Sequence, residues 1–395
     1  MHALPHDRPG LRIARLRKER HLTQKALSEL SGVPYHTLTK IEQERLSATP
    51  YAIACIARAL RVEVATIEGQ PYREELRADE LDVLIAPIRE SLDVYDLGAD
   101  PEITARPLHQ LRDDSDRLCA AVRAGEIKQV ASQVAGLIEE ATTAAHTHGS
   151  SEGWLILAEL YRTSYDVATK LGYGDLAQLA LARLDWAAQR ASSAVWGSAY
   201  QYFRALSYLR EGKYRTGERL IGLGLRTIEQ ADPSHDRDVV LGQLHLGGSV
   251  MAGRARNADQ AMAHLAEAER ISDSTGEAVK VLWMAFGPTN VSVHRVSVLA
   301  ELDKYDKAIE SANSLAIPPT WPKSRKSHHY AELARAQMWT GHLEASFESL
   351  QKARRAAPQQ AKYHPMVRAT YAGLDAAHRR LPDSFLAYGS WLTSA

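Results

Sequence analysis

Residues 23–42 read TQKALSELSGVPYHTLTKIE. Two short amphipathic runs meet at Ser31-Gly32-Val33, too tight a joint for two long packed helices. Thr23 is a good N-cap for the first run, with Ala26, Leu27 and Leu30 expected to face inward. Gly32 supplies the positive φ that a sharp reversal needs. Pro34 suits the first turn of the second run, where its missing N–H is not needed. That run buries Val33, Leu38 and Ile41 and leaves Tyr35, His36, Thr37, Thr39 and Lys40 pointing elsewhere. Upstream, LRIARLRKER sets Leu11, Ile13 and Leu16 against a basic face. Downstream, Thr49-Pro50 caps a fourth helix, YAIACIARAL, in which Cys55 reads as a small core residue. A short VATIEG closes a five-helix unit over residues 1–70.

Charge is distributed to match. The chain of 395 residues has no formal net charge, yet residues 1–70 hold 11 Lys/Arg against 7 Asp/Glu. A local basic excess on a small polar-faced unit is the electrostatic footprint of a nucleic-acid binder. Hydrophobic residues at 45% and charged residues at 24% exclude a disordered chain. No apolar run approaches the roughly 20 residues that span a bilayer, and MHALPHDRPG lacks the apolar core of a secretion signal, so no membrane partner is expected. Cys55 and Cys119 are the two cysteines; they form no CxxC pair or disulfide framework, and a reducing cytoplasm is expected.

Gln24 after the cap, ALSELSGV, the Leu38/Ile41 spacing and IEQ together resemble the phage-repressor (Xre) helix-turn-helix over about residues 11–69. That resemblance implies a recognition helix at 34–42 lying in the DNA major groove, with Tyr35, His36 and Lys40 facing base edges and Pro34, Thr37 and Thr39 completing the contact set. It implies that Gln24 bonds a phosphate and braces the recognition helix, and that Arg17 and Glu42 form a partly buried, structural ion pair. The family usually places Gly after the recognition helix; this chain has Gln43-Glu44-Arg45. Either a non-glycine residue adopts the left-handed conformation there, at about 1 kcal/mol, or the loop takes another path. Arg45, Ser47 and Thr49 are its candidate phosphate contacts. One such unit offers few base contacts, so a homodimer on a palindromic double-stranded operator is expected, its half-sites about 34 Å apart.

PYREELRADELD reads as a charged, partly helical connector within a linker at 71–107, and a Pro/Asp/Gly cluster at 92–107 marks a second break. From 108 to 395 a helical hairpin recurs, clearest at 206–233, 249–271, 296–319 and 328–358. Gly212-Lys213-Tyr214, Asp303-Lys304-Tyr305 and Gly341-His342-Leu343 occupy equivalent turns, and Pro233, Pro318 and Pro358 end units. The recurrence resembles degenerate tetratricopeptide (TPR) repeats, six to seven of them, in a right-handed solenoid whose concave wall is lined by the first helix of each pair. The expected fold class is therefore all-α: an Xre-type head followed by a TPR-like helical solenoid that dimerises and senses a ligand.

In VLWMAFGPTNVSVHRVSVLAEL, residues 281–302, Gly287-Pro288 interrupts a helix, and Asn290, His294 and Arg295 follow at helical spacing. Asn290 and His294 share a face, and an Asn amide can clamp the backbone of an extended peptide. The head, the repeats and FGPTNV resemble a class of actinobacterial transcriptional regulators. The layout is similar to that of the RRNPP peptide-responsive receptors, which implies a signalling peptide or small metabolite in the groove. Arg204 joins Arg295 as a candidate for a carboxylate, and Trp196 and Tyr200 are assigned to the groove among aromatic residues that otherwise fill core.

No phosphate-binding glycine loop, nucleophile elbow or HExxH zinc motif occurs. The pairs His146/His148 and His328/His329 read as surface loops rather than metal ligands. No cofactor, metal or catalytic residue is expected. The rival to a ligand-sensing regulator is a DNA-bound TPR adaptor that recruits a protein partner without a small-molecule switch.

Overall fold

The computed structural model describes residues 8–69, 78–377 and 383–393. Among them every regular element is helical, and the single strand-like contact is an isolated bridge between Ala278 and Phe286.

The head consists of α1 (Pro9–Glu19), α2 (Gln24–Ser31), α3 (Tyr35–Glu42), α4 (Pro50–Leu60) and α5 (Val64–Glu68). Thr23 and Thr49 cap α2 and α4 by accepting from the backbone N–H of Ala26 and Ala52. Gly32 sits at φ 71° and reverses the chain between α2 and α3. Ile13, Leu27, Leu38, Ile41, Ile56 and Leu60 form one small core, and Cys55 is buried in it. Two apolar residues depart from the sequence reading. Leu30 is 63% exposed, because Leu27 and Ser31 take the buried positions of so short a helix, and Leu11 is exposed at the start of α1.

The expected connector falls partly on residues 70–77, outside the described residues. Beyond it, α6 (Ala78–Asp93) is no spacer: Ile85, Ile88 and Leu92 are buried in the main core of the body. Antiparallel hairpins follow: α7 (Leu108–Ala124) with α8 (Ile127–His148), α9 (Ser151–Leu171) with α10 (Gly174–Arg190), and α11 (Ala194–Arg210) with α12 (Tyr214–Ile228). Next come α13 (His235–Arg254) with α14 (Ala258–Thr275), α15 (Pro288–Glu301) with α16 (Tyr305–Asn313), and α17 (Lys323–Trp339) with α18 (Leu343–Ala356). The chain ends in α19 (Pro358–Tyr363), α20 (Pro365–Ala377) and α21 (Asp383–Thr393). The turns at 212–213, 303–304 and 341–342 fall where the sequence places them. Small residues let the helices cross closely: a Cβ on Gly217 would sit 2.1 Å from the Met251 methyl. Pro358 starts a helix instead of ending a unit.

Residues 276–287 are also not the interrupted helix that the sequence suggests. They form an irregular strap with one 3₁₀ turn at Val281–Trp283, and Leu282, Trp283 and Ala285 all have positive φ. Helix α15 begins only at Pro288. Phe286 anchors the strap: it is fully buried, and a Cβ on Gly242 would lie 2.1 Å from its ring.

The hairpins curl until the series meets itself. α17 packs on α7, and α19 packs on α9. The seam is sealed by Gln359 accepting from the Lys128 backbone N–H at 3.1 Å, Gln360 accepting from Lys170 Nζ at 2.7 Å, and the Trp283 indole donating to Asp116 at 3.1 Å. The head rests on this ring through Arg8 before α1, the Ser47 loop and α4. Arg8 bonds Asp375 at 2.6 Å, Arg256 lies 5.3 Å over the Tyr51 ring, and Gly212 meets Ala54 so closely that a Cβ would come within 2.2 Å.

Candidate functional site

Helix α3 has eight residues, too few to hold itself in water, so its position depends on tertiary contacts. Glu42, buried at its C-terminal end, accepts from Arg17 Nε at 2.7 Å and Arg17 Nη2 at 2.8 Å. The Gln24 amide donates to the same carboxylate at 2.9 Å, and Arg17 Nη1 donates to the Leu22 carbonyl at 2.8 Å. One carboxylate thus joins α1, the start of α2 and the end of α3. The forked guanidinium geometry fixes angle as well as distance.

The loop after α3 follows the left-handed path, with Glu44 at φ 59° where the Xre pattern carries glycine. The N–H of Glu44 reaches Ile41 O at 3.0 Å and the N–H of Arg45 reaches Lys40 O at 2.9 Å, the paired bonds of a Schellman cap. Its side chain offsets the strain: Glu44 accepts from the Leu11 N–H at 3.1 Å and lies 3.6 Å from Arg8 Nε. Burial pushes the Glu44 carboxyl up, and Arg8 together with the Leu11 and Gly10 amides opposes it. Helix α1 can approach only because residue 10 lacks a Cβ, which would lie 2.1 Å from the Ile41 carbonyl oxygen. Gly10→Ala should therefore cost about 1–3 kcal/mol as α1 and α3 are forced apart, read as a lowered unfolding midpoint for the head.

What α3 offers outward is polar. Pro34, Tyr35, His36 and Lys40 are exposed, with Tyr35 at 53%, and the Thr37 hydroxyl lies 3.2 Å from His36 Nε2. Thr39 turns its hydroxyl inward, where it is buried without a partner. Arg45 is exposed in the following turn. Ser47 faces the body, where a Cβ on Gly373 would come within 2.7 Å of its hydroxyl, and the Thr49 hydroxyl is occupied in capping α4.

Beneath the head lies a chamber of about 810 Å³. Its wall comes from the first helix of each hairpin from α9 to α17, from α19 and α20, and from the head's α4–α5 segment. It is polar. On α17, Arg325, His328, Glu332 and Arg335 form a single inward stripe. Burial pushes the Lys170 ammonium down to about 8; Asp166 opposes the fall, while Arg123, Arg325 and Arg210 deepen it. Burial likewise lowers His294 to about 3, aided by Arg325, and holds His328 and His364 well below the ordinary histidine range. These two rings meet at 2.9 Å between Nδ1 of His328 and Nε2 of His364. Glu68, at the end of α5, is pushed up to about 7 by burial, against the pull of Arg254, Arg210 and Arg12.

The candidate ligand residues separate. His294 is on the chamber wall, and Asn290, fully buried just behind it, accepts from Arg325 Nη2 at 2.9 Å. Arg295 is turned outward and paired with Glu269 at 3.0 Å, because the positions beside it on α15 already face inward. Arg204 lies over Tyr200 at 5.2 Å, away from the chamber, and Trp196 is core. His328 and His329 are helical and inward rather than a surface loop; His146 closes α8 against Trp154 and Trp186. Sequence reading missed Lys170, Arg210, Arg325 and His364. For Arg325 a signal was present: an Arg/His/Glu/Arg stripe at 325, 328, 332 and 335, where core spacing calls for apolar residues.

Among the described residues no group of acidic, His or Cys side chains is placed to hold a metal, and no helix is long and apolar enough to cross a membrane. Residues 13–67 match the helix-turn-helix family, so the head is an Xre-type helix-turn-helix domain. Neither the curated proteins nor the solved structures contain a match to this chain.

Proposed function

We propose that this chain is a sequence-specific transcriptional regulator that reads DNA with α3 and responds to a small ligand held in the ring of helical hairpins. The observation that carries the reading is the geometry of α3: exposed Tyr35, His36 and Lys40 on a helix locked from behind by the Arg17–Glu42–Gln24 cluster. A helix held rigidly can place side chains against base edges without losing binding energy to ordering. Arg45 adds a phosphate contact at the edge, and Pro34 and Thr37 pack along the groove wall. The hairpins are read as long TPR-type units, and two copies of the chain pair so that two heads span successive half-sites. The chain acts where DNA is found, and nothing in its motifs assigns it a reaction.

The chamber, walled by the hairpins and by the head, favours a sensor over an adaptor. The inner wall, which would bind an extended partner in an open solenoid, faces a space suited to a small molecule. The head forms part of that wall through Pro50, Ile53 and residues 63–66 and 68, so a change in the shape of the wall reaches it. A ligand that favours one head position over another shifts the regulator by that difference in affinity, typically 1–3 kcal/mol.

The test uses the full chain with DNA fragments selected from a random pool. Lys40→Ala or Tyr35→Ala should weaken binding to the selected site by about 1–3 kcal/mol and relax its sequence preference. Unchanged affinity and unchanged preference in both variants would remove α3 as the reading element.

A further inference from the structure

Three cations in the chamber end on neutral acceptors instead of carboxylates. Lys170 Nζ donates to Gln360 Oε1 at 2.7 Å, Arg210 Nη1 to the Tyr165 hydroxyl at 2.9 Å, and Arg325 Nη2 to Asn290 Oδ1 at 2.9 Å. They come from α9, α11 and α17, yet converge on one space, since Arg210 and Arg325 both act on the Lys170 ammonium. Neighbouring arginines do have counter-charges: Arg162 and Arg123 share Asp166, and Arg254 and Arg335 share Glu301. Asp166 is the carboxylate that acts on Lys170 and Arg210, and it is already bonded to Arg123 and Arg162, so cationic charge exceeds its nearest counter-charge in this part of the cavity and calls for an anion. Two further donors point the same way. The Ser324 hydroxyl, 2% exposed, and Arg325 Nε line the space without a partner among the described residues. In the neutral His328–His364 pair, His364 Nδ1 accepts from the Met366 N–H at 3.2 Å, so His364 Nε2 donates to His328 Nδ1 and His328 Nε2, 3.6 Å from Glu332, is the ring nitrogen left to donate.

We propose that the chamber binds a small organic anion, its phosphate or clustered carboxylates held by Lys170, Arg210 and Arg325 and its body lying against Tyr202 and Phe203. The volume of about 810 Å³ exceeds what an inorganic ion fills and suits a metabolite with an aromatic or apolar part. This deepens the sensor reading and rests on it for its regulatory meaning, though not for the binding itself.

Thermal unfolding of the full chain tests it with AMP, citrate, inorganic phosphate and adenosine as probes. AMP or citrate near saturation should raise the midpoint by about 3 °C or more, adenosine should not, and inorganic phosphate should do less than either organic anion. Arg325→Gln and Lys170→Gln should each abolish the rise. Without ligand Arg325→Gln should melt at or above the parent temperature, because a charge that repels Lys170 has gone, whereas Lys170→Gln also loses its seam bond to Gln360 and should melt somewhat lower; two separate variants guard against a folding defect in one. The site is overturned if neither AMP nor citrate shifts the midpoint, if inorganic phosphate equals them, if the shift survives both substitutions, or if both variants melt well below the parent. DNA affinity measured with and without the effective anion separates the two proposals: binding with no change in DNA affinity supports the site and overturns the sensor.

Discussion

Glu42→Ala is expected to remove about 3–5 kcal/mol from the head and to abolish DNA binding, although Glu42 itself is buried away from the reading surface. The loss is large because the Arg17 guanidinium stays behind. Its side chain is 11% exposed and spends two of its three donor contacts on Glu42. Without the carboxylate a buried cation has no counter-charge, and the Gln24 amide loses its acceptor as well. A domain of this size holds only a few kcal/mol in reserve. Hydrogen exchange on the full chain reads the effect locally: protection in α1–α3 should collapse while that of α13 and α14 is retained. Replacing both partners, Arg17→Met with Glu42→Leu, should restore most of the stability, since an apolar pair leaves no orphaned charge. Retained protection in Glu42→Ala would show that the cluster does not hold α3.

Asp166→Ala should cost the body a similar amount. This carboxylate accepts from Arg123 Nη2 at 2.6 Å and Arg162 Nη1 at 2.9 Å, and Arg162 is wholly buried. Its removal leaves Arg162 with Glu159 alone and takes from Arg123 the counter-charge that binds α7 to α9. About 3–5 kcal/mol is again the scale for breaking a buried pair from one side, read as a lowered midpoint in urea. The pH dependence has a definite sign. Burial pushes the Asp166 carboxyl up, but Arg123, Arg162 and Lys170 together outweigh it and hold it below the ordinary value of 3.8. A carboxyl with a depressed folded pKa contributes in full above the unfolded value and loses that contribution as pH falls through the folded one. The parent should therefore shed this stability only below about pH 4, and the Asp166→Ala curve should be flatter there. Equal slopes in that window would contradict the assignment.

The head was legible because its determinants are local. Thr23, Gly32 and Thr49 are caps and a turn whose geometry follows from residue type, and the apolar spacing around Leu38 and Ile41 leaves one polar face. Even so, Leu30 broke the pattern, because an eight-residue helix has room for few buried positions. Glu44 was legible only as an alternative: its left-handed φ depends on Arg8 and the Leu11 amide, which sit far away in sequence. Hairpin turns in the body were readable from recurring small residues, but ring closure was not. It depends on Gln359 and Gln360 meeting Lys128 and Lys170, and nothing in a periodic pattern says whether a curved array stops short of its own beginning. The same gap explains the ligand candidates. Arg295 and Arg204 were chosen by residue type, whereas curvature decides which stripe faces in.

The seam carries a consequence for how the molecule comes into being. An open stack of hairpins can fold one unit at a time as it leaves the ribosome, each new pair resting on the last. Here Lys128 waits for a partner 231 positions later, so the hoop cannot shut until nearly the whole chain has been synthesised. Contacts of such long sequence separation slow folding, and a fragment cut before Pro358 would lose Gln359 and Gln360 and keep the hoop shut only by α17 on α7 and by Trp283 on Asp116.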